Sequence, residues 1–384
     1  MKNLSKTLLW LCAALLLGAC STIDSLNPFS SGKAKVKVAE LASFEPKLQL
    51  RTLWQARIGS AGIYTLSPAV VGNSVYAAAA DGSLARFDGE KQAWRIPAGQ
   101  PISGGVGADG KLVAVGTAKG EVLAFDAATG KAAWKAQVSS EVLAPPVVAD
   151  GLVVVRSGDS RISALDAADG KLRWVYQRSV PALLLRSNAR VLMAGDNTII
   201  GFPGGKLVAI ANNNGASVWE ATVALPKGST ELERVTDITS SPALAGNAVC
   251  AVAFQGRIAC FDVKNGTGLW SRDMSSIAGL DMDGKQVYVT DDKGFVQALD
   301  RDTGATVWKL DKLATRSPTR PLALDGLVAV ADVQGMVHLL SSAGGVFSGR
   351  AKTDGSAIRA DPVRYANGIL VQTSDGGLFA MAAK

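Results

Sequence analysis

The sequence predicts an all-β fold, an eight-bladed β-propeller of four-stranded antiparallel blades. Three observations predict it. An aromatic residue recurs at close to forty-residue spacing, and apolar side chains alternate with period two between Gly- and Asp-rich turns. A segment around Trp54 has no repeat of its own before it.

The recurring aromatics are Trp54, Trp94, Trp134, Trp174, Trp219, Trp270 and Trp308, with Phe347 continuing the series. Each interval holds a β-run, a polar turn, a second β-run, a Gly turn, a third run ending in Asp, and a Gly before the aromatic. Gly120–Gly130 leading to Trp134 is one instance, and Gly294–Asp300 with Thr303-Gly304 before Trp308 is another. Val122/Ala124 against Leu123/Phe125 shows the alternation of a short strand. No apolar stripe of period 3.6 persists, so helical repeats of similar length are excluded. Four strands in about forty residues is the size of a propeller blade.

Third strands start near Gly82, Gly120, Ser160, Gly205, Gly256, Gly294, Gly335 and Gly376, which makes eight. The last of these is followed by no fourth strand, whereas Leu50–Ile58 around Trp54 has no first three strands. The N-terminal segment is therefore expected to join the last blade and close the ring, pairing edges that would otherwise stay open. A large aromatic at one place in each blade can dock between neighbouring sheets and bury about 150–250 Å². The Asp–Thr–Gly–Trp pattern resembles the tryptophan-docking motif of pyrroloquinoline-quinone-type propellers.

Ahead of the repeats, Lys2 and Lys6 precede the apolar run Leu8–Leu17, which is too short to span a bilayer permanently. Leu17-Gly18-Ala19-Cys20 resembles the bacterial lipobox, which implies removal of residues 1–19 and acylation of Cys20. Ser21, rather than Asp, resembles the signal for release to the outer membrane. The expected protein is thus lipid-anchored in the outer membrane and faces the periplasm. Residues 20–47 read as a flexible tether rich in Ser, Lys, Pro and Gly, and 48–384 as a single propeller.

The chain carries +7, and losing Lys2 and Lys6 with an acid-free leader leaves +5. The charges are dispersed, which argues against nucleic acid as a partner. Cys250 and Cys260 flank the turn Phe254–Arg257. A three-residue loop would set them opposite each other and a two-residue loop would offset them by one. They read either as a candidate disulfide, which an oxidising periplasm permits, or as two buried thiols.

The scaffold raises an enzymatic alternative, a periplasmic quinoprotein dehydrogenase. Its marks are an adjacent cysteine pair, calcium-binding acids and amides, and a catalytic carboxylate. No adjacent cysteines exist here, and most Asp residues recur at turns. His338, the single histidine, falls within a strand pattern, so a histidine-based metal cluster or acid–base pair is unavailable. Gly201–Lys206 lacks phosphate-loop spacing and reads as a turn. No cofactor and no catalytic residue are expected.

Where one blade departs from its siblings is more informative. Pro68, Pro146, Pro181, Pro242, Pro321 and Pro362 read as marking first strands, all but Pro181 followed by a polar turn such as Asp150-Gly151. After Pro181 the turn position holds Leu185-Arg186, preceded by Leu183-Leu184, which reads either as a binding hot spot or as an ordinary strand with its turn shifted to Ser187-Asn188. The interval from Trp219 to Trp270 is about ten residues longer than usual, the excess lying in Ala224–Thr239.

Taken with the lipobox and the missing quinone residues, Val180–Arg186 and Gly228–Asp237 resemble the BamB family of outer-membrane assembly lipoproteins. The resemblance implies a non-enzymatic scaffold that assists insertion of outer-membrane proteins. The implied partners are the POTRA domains of BamA, other lipoproteins of the assembly machinery and unfolded outer-membrane proteins. It implies partner-binding roles for Leu183, Leu185, Arg186 and Asp237, the last either touching the partner or supporting Arg186. Arg234 and Thr239 are weaker candidates, because the family's second aspartate falls on Thr239. In an up-and-down blade, a turn after strand one and a connection into the next blade lie on opposite faces. Either the register around Leu183 differs, or the long connection folds over, or one segment alone touches the partner.

Overall fold

The computed structural model describes residues 38–384. Cys20, the leader and residues 20–37 of the expected tether lie outside the described residues. The rest forms eight four-stranded antiparallel sheets arranged as the blades of a propeller. Blade one comprises Ala69–Val71, Ser74–Ala78, Ser83–Asp88 and Lys91–Pro97. In seven blades the strands follow one another in chain order. The eighth runs Val363–Tyr365, Gly368–Gln372 and Gly377–Ala383, and its outermost strand is Leu50–Arg57, paired from Leu50↔Ala383 to Arg57↔Gly377. Ring closure through the N-terminal strand is as the sequence predicts.

Middle strands are apolar on both sides because each blade packs between two others. Leu112–Gly116 and Ile369–Gln372 are buried throughout, whereas outer strands such as Ala132–Gln137 alternate exposed and half-buried residues. The core is accordingly a series of inter-blade clusters. One joins Tyr76 and Leu84 of blade one to Val113 and Phe125 of blade two.

Six tryptophans explain the repeat. The indole N–H of Trp94, Trp134, Trp174, Trp219, Trp270 and Trp308 each donates to a carbonyl of the next blade, at 2.6–3.1 Å. Each ring lies over the glycine of that blade's Asp-to-Gly turn. A Cβ there would come within 2.3–3.0 Å of the indole, at Gly130, Gly170, Gly215, Gly266, Gly304 and Gly345 in turn. Those glycines also hold positive φ, so both the close approach and the turn demand glycine. The residue just before each of these tryptophans is a bulge, as Ala133 is between Ala124↔Trp134 and Phe125↔Ala132. The bulge aims the indole at the neighbouring blade.

Blade seven departs from this series. Its pairing runs Leu339↔Gly349 and Leu340↔Phe347, so the position matching the tryptophans is Gly349. Phe347 sits two residues earlier and does not continue the register, although it lies on the expected strand.

A second departure concerns blade four. Its first strand is Leu192–Ala194, turning at Gly195-Asp196 into Asn197–Phe202. Pro181–Arg186 therefore belongs to the connection entering blade four, and the first strand expected after Pro181 is displaced by eleven residues. Val180–Leu185 has the composition of a strand but pairs with none.

Cys250 and Cys260 face each other across the second and third strands of blade five, joined by the three-residue turn Phe254–Gly256, and are bonded as a disulfide. His338 is buried in blade seven, in a chain of polar groups. Its Nε2 lies 3.0 Å from the Asp332 carboxylate, and its Nδ1 accepts from Arg350.

Candidate docking site on the connection face

Blade-to-blade connections share one face of the ring with the turns between second and third strands. Most are short, as Met274–Ala278 is. Two adjacent ones are long, residues 177–191 before blade four and residues 223–242 before blade five. With Pro181–Arg186 placed in a connection, the difficulty of opposite faces disappears, because both long segments lie on the same side.

They are tied together by hydrogen bonds. Asp237 is only 2 % exposed. Its Oδ2 accepts the Leu185 N–H at 2.7 Å and its Oδ1 accepts the Gly204 N–H at 3.1 Å. Ser187 Oγ donates to the Thr239 carbonyl at 3.1 Å, and the Arg190 N–H donates to Ser241 Oγ. Beneath them Arg156, at the end of the strand Leu152–Arg156, donates to the Gly201 carbonyl at 3.0 Å. Burial pushes its guanidinium down to about 10, opposed by the Asp237 carboxylate, so it stays charged at neutral pH.

Of the two roles open to Asp237, this arrangement favours support. Its carboxylate is enclosed and occupied by two backbone N–H groups, so it positions the Leu183–Arg186 loop. Thr239 is likewise buried, and its carbonyl rather than an acidic side chain meets the neighbouring loop.

What the loop presents outward is Leu183, 40 % exposed, and the Arg186 side chain, 82 % exposed. Leu185 is half-buried, and with Leu184 it borders a small cleft against Glu141 and Ser157. The Glu141 carboxylate lies 4.0 Å from Arg186 and is held below the usual range, chiefly by the Ser140 hydroxyl. An ion pair this long and exposed contributes little, so Arg186 remains available to a partner.

In the second connection, Glu233 Oε2 accepts the N–H groups of Ser229 and Thr230 at 2.8 and 3.0 Å, and Thr230 Oγ1 accepts the Glu233 N–H. These bonds hold the Glu233 carboxyl below its ordinary value and fix a tight turn that leaves Leu232 exposed. Arg234 is exposed beside it.

The structure brings the sequence-predicted Leu183, Leu185, Arg186 and Asp237 together. Sequence reasoning missed Arg156, Glu141 and Ser187. Only Arg156 left a signal, an arginine ending the otherwise apolar strand Leu-Val-Val-Val. Beside the loop opens a cavity of about 760 Å³ at the centre of the ring, lined by Arg186, Asn188, Ser240, Thr290, Arg320 and Asp361 among others. Among the described residues no group of three or more His, Cys, Asp or Glu side chains could hold a metal ion.

The fold defines a class, the eight-bladed quinoprotein-like propellers, and the paired long connections are what sets this one apart from the regular repeat. The family model for the outer membrane protein assembly factor BamB matches residues 89–310 and 292–384. The chain belongs to the BamB family, whose members are assembly factors and not enzymes. It is 42 % identical to the outer membrane protein assembly factor BamB of Bordetella pertussis over the full length of both chains. The crystal structure of BamB from Moraxella catarrhalis superposes with a TM-score of 0.80 at 30 % identity, covering 86 % of this chain and 99 % of that one. Quinohemoprotein alcohol dehydrogenase from Comamonas testosteroni shares the fold alone, with a TM-score of 0.71 at 14 % identity over 87 % of this chain and 76 % of that one.

Proposed function

We propose that this protein is a scaffold in outer-membrane protein assembly, anchored to the outer membrane through an acylated Cys20 and facing the periplasm. It docks the POTRA domains of BamA with the loop Leu183–Arg186. The observation that carries the reading is the Asp237 carboxylate, which fixes the Leu185 backbone so that Leu183 and Arg186 face outward. A preformed loop loses little entropy on binding, and an exposed leucine beside an uncommitted arginine supplies apolar area and a charge-assisted hydrogen bond. Leu232 and Arg234, on the adjacent connection, extend the same surface.

Co-purification of BamA with the tagged protein from solubilised envelopes tests it. Arg186→Ala and Leu183→Ala are expected to lower recovery of BamA while leaving the thermal midpoint unchanged. Undiminished recovery from the double variant would remove this loop from the interface.

A further inference from the structure

The segment leading into the ring is built onto blade seven. The Ala39 N–H donates to Thr315 Oγ1 at 3.0 Å, and its carbonyl accepts from the buried Arg316 guanidinium. The Ala42 carbonyl accepts from Arg350 at 3.0 Å. Phe44 stacks on Phe347 with ring centroids 5.2 Å apart, and Arg350 lies over both rings. The N–H groups of Lys47 and Leu48 both donate to the Ser348 carbonyl, at 3.0 and 2.9 Å.

Blade seven is adapted to receive it. Where six blades carry a docking tryptophan this one has Gly349, and a Cβ there would lie 3.0 Å from the Leu48 carbonyl oxygen. Arg316 and Arg350 share one buried polar chain with Asp332 and His338. The two guanidinium groups there face a single carboxylate, so the carbonyls of Ala39 and Ala42 are acceptors the cluster needs.

The path of this segment has a direction. Leu50 enters the ring beside Lys384, on the face of the first-to-second strand turns, yet Ala39 lies against Thr315, in the connection entering blade seven. Thr315 and Ser317 border the same central cavity as Arg186 and Asn188. Ala39, the first residue of this segment, thus lies at the connection face.

We propose that residues 39–48 are a strap that replaces the docking tryptophan of blade seven. It carries the membrane tether across the ring, so that the connection face, with its docking loop, is the one held toward the lipid surface. The membrane half rests on the acylation of Cys20 proposed above. Residues 21–38 are eighteen in number and reach about 60–65 Å when fully extended. The strap thus sets which face lies nearest the bilayer, and the length of those residues sets only how far away.

Two measurements on the full chain test the two halves separately. Hydrogen exchange is expected to show the amides of Lys47 and Leu48 protected, and to lose that protection in Gly349→Trp, which restores the residue of the other blades and expels Leu48. Phe44→Ala, which leaves the blade untouched, is expected to loosen the strap in the same direction. Unprotected amides in the parent overturn the strap.

For the second half, a donor dye is placed on Lys312→Cys, at the connection face of blade seven, or on Asp325→Cys, at its opposite face. The membrane-extracted protein is reconstituted into phosphatidylethanolamine–phosphatidylglycerol vesicles bearing a headgroup acceptor, with acylation read from the mass of the N-terminal peptide. Stronger transfer from position 312 than from 325, lost in Gly349→Trp, is expected. Equal transfer from the two positions in the acylated parent overturns the orientation. An unacylated N-terminus overturns the membrane half and leaves the exchange result standing.

Discussion

Asp237 shows what a single buried carboxylate contributes. Its two oxygens accept the N–H groups of Leu185 and Gly204, which no other acceptor reaches, beside the buried charge of Arg156. Leaving a buried N–H without a partner costs about 1–3 kcal/mol, so Asp237→Ala is expected to lower the thermal midpoint and to weaken BamA recovery together. Asp237→Asn, which keeps one carbonyl oxygen, is expected to fall between the two. The sequence marked Asp237 but left open whether it touches a partner or supports Arg186, because an aspartate in a long polar connection is ordinarily solvated. Nothing in the spacing says that two loops fifty residues apart share it. His338 makes a second case at this scale. Burial among Asp332, Arg316, Arg350 and Phe347 lowers its pKa from the ordinary 6.5, the Asp332 carboxylate opposing the shift. The unfolded chain then binds more protons, so stability is full above about pH 6.5 and falls as pH drops from there toward the depressed folded value. Thermal melts at pH 7.5 and pH 5.5 are expected to differ less in His338→Gln than in the parent.

At the scale of elements, the Gly–Trp pairs hold neighbouring blades in register. Gly304 has φ +72°, and a Cβ there would meet the Trp270 indole at 2.5 Å. Gly304→Ala is expected to destabilise by straining the turn and displacing the ring. Trp270→Ala is expected to cost about 3–5 kcal/mol, measured by denaturant unfolding. These contacts made the blades legible, since the glycine, the aspartate and the tryptophan each answer to one geometric demand and recur together. Two elements were not legible, for the same reason. Pro181-Ala-Leu-Leu-Leu has the composition of a strand, but strand formation needs a partner edge, and the partner's place is taken by Leu192–Ala194. Phe347 mimics the tryptophan series, and only the pairing on Leu340 shows that Gly349 holds that position.

For the whole molecule, the junction of blades eight and one differs from the six that carry a Gly–Trp pair. Trp54 packs between Phe87 and Tyr365 with no carbonyl for its indole N–H, because blade one turns tightly at Gly89-Glu90 and lacks the longer turn that supplies one. Trp54→Ala is expected to loosen the seam before the rest of the ring. Proteolysis would then begin within residues 39–57, whereas Trp134→Ala would lower the midpoint without exposing the N-terminal strand. The closure also has a consequence in time. Trp54 pairs with Ala380, so the ring's first strand has its partner in its last. Seven blades can assemble in chain order, but Leu50–Arg57 must wait with an unpaired edge until Gly377–Ala383 is in place. A chain cut short anywhere before Gly377 can therefore stack its blades but never complete the circle. Closure acts as a check that the eighth blade has formed.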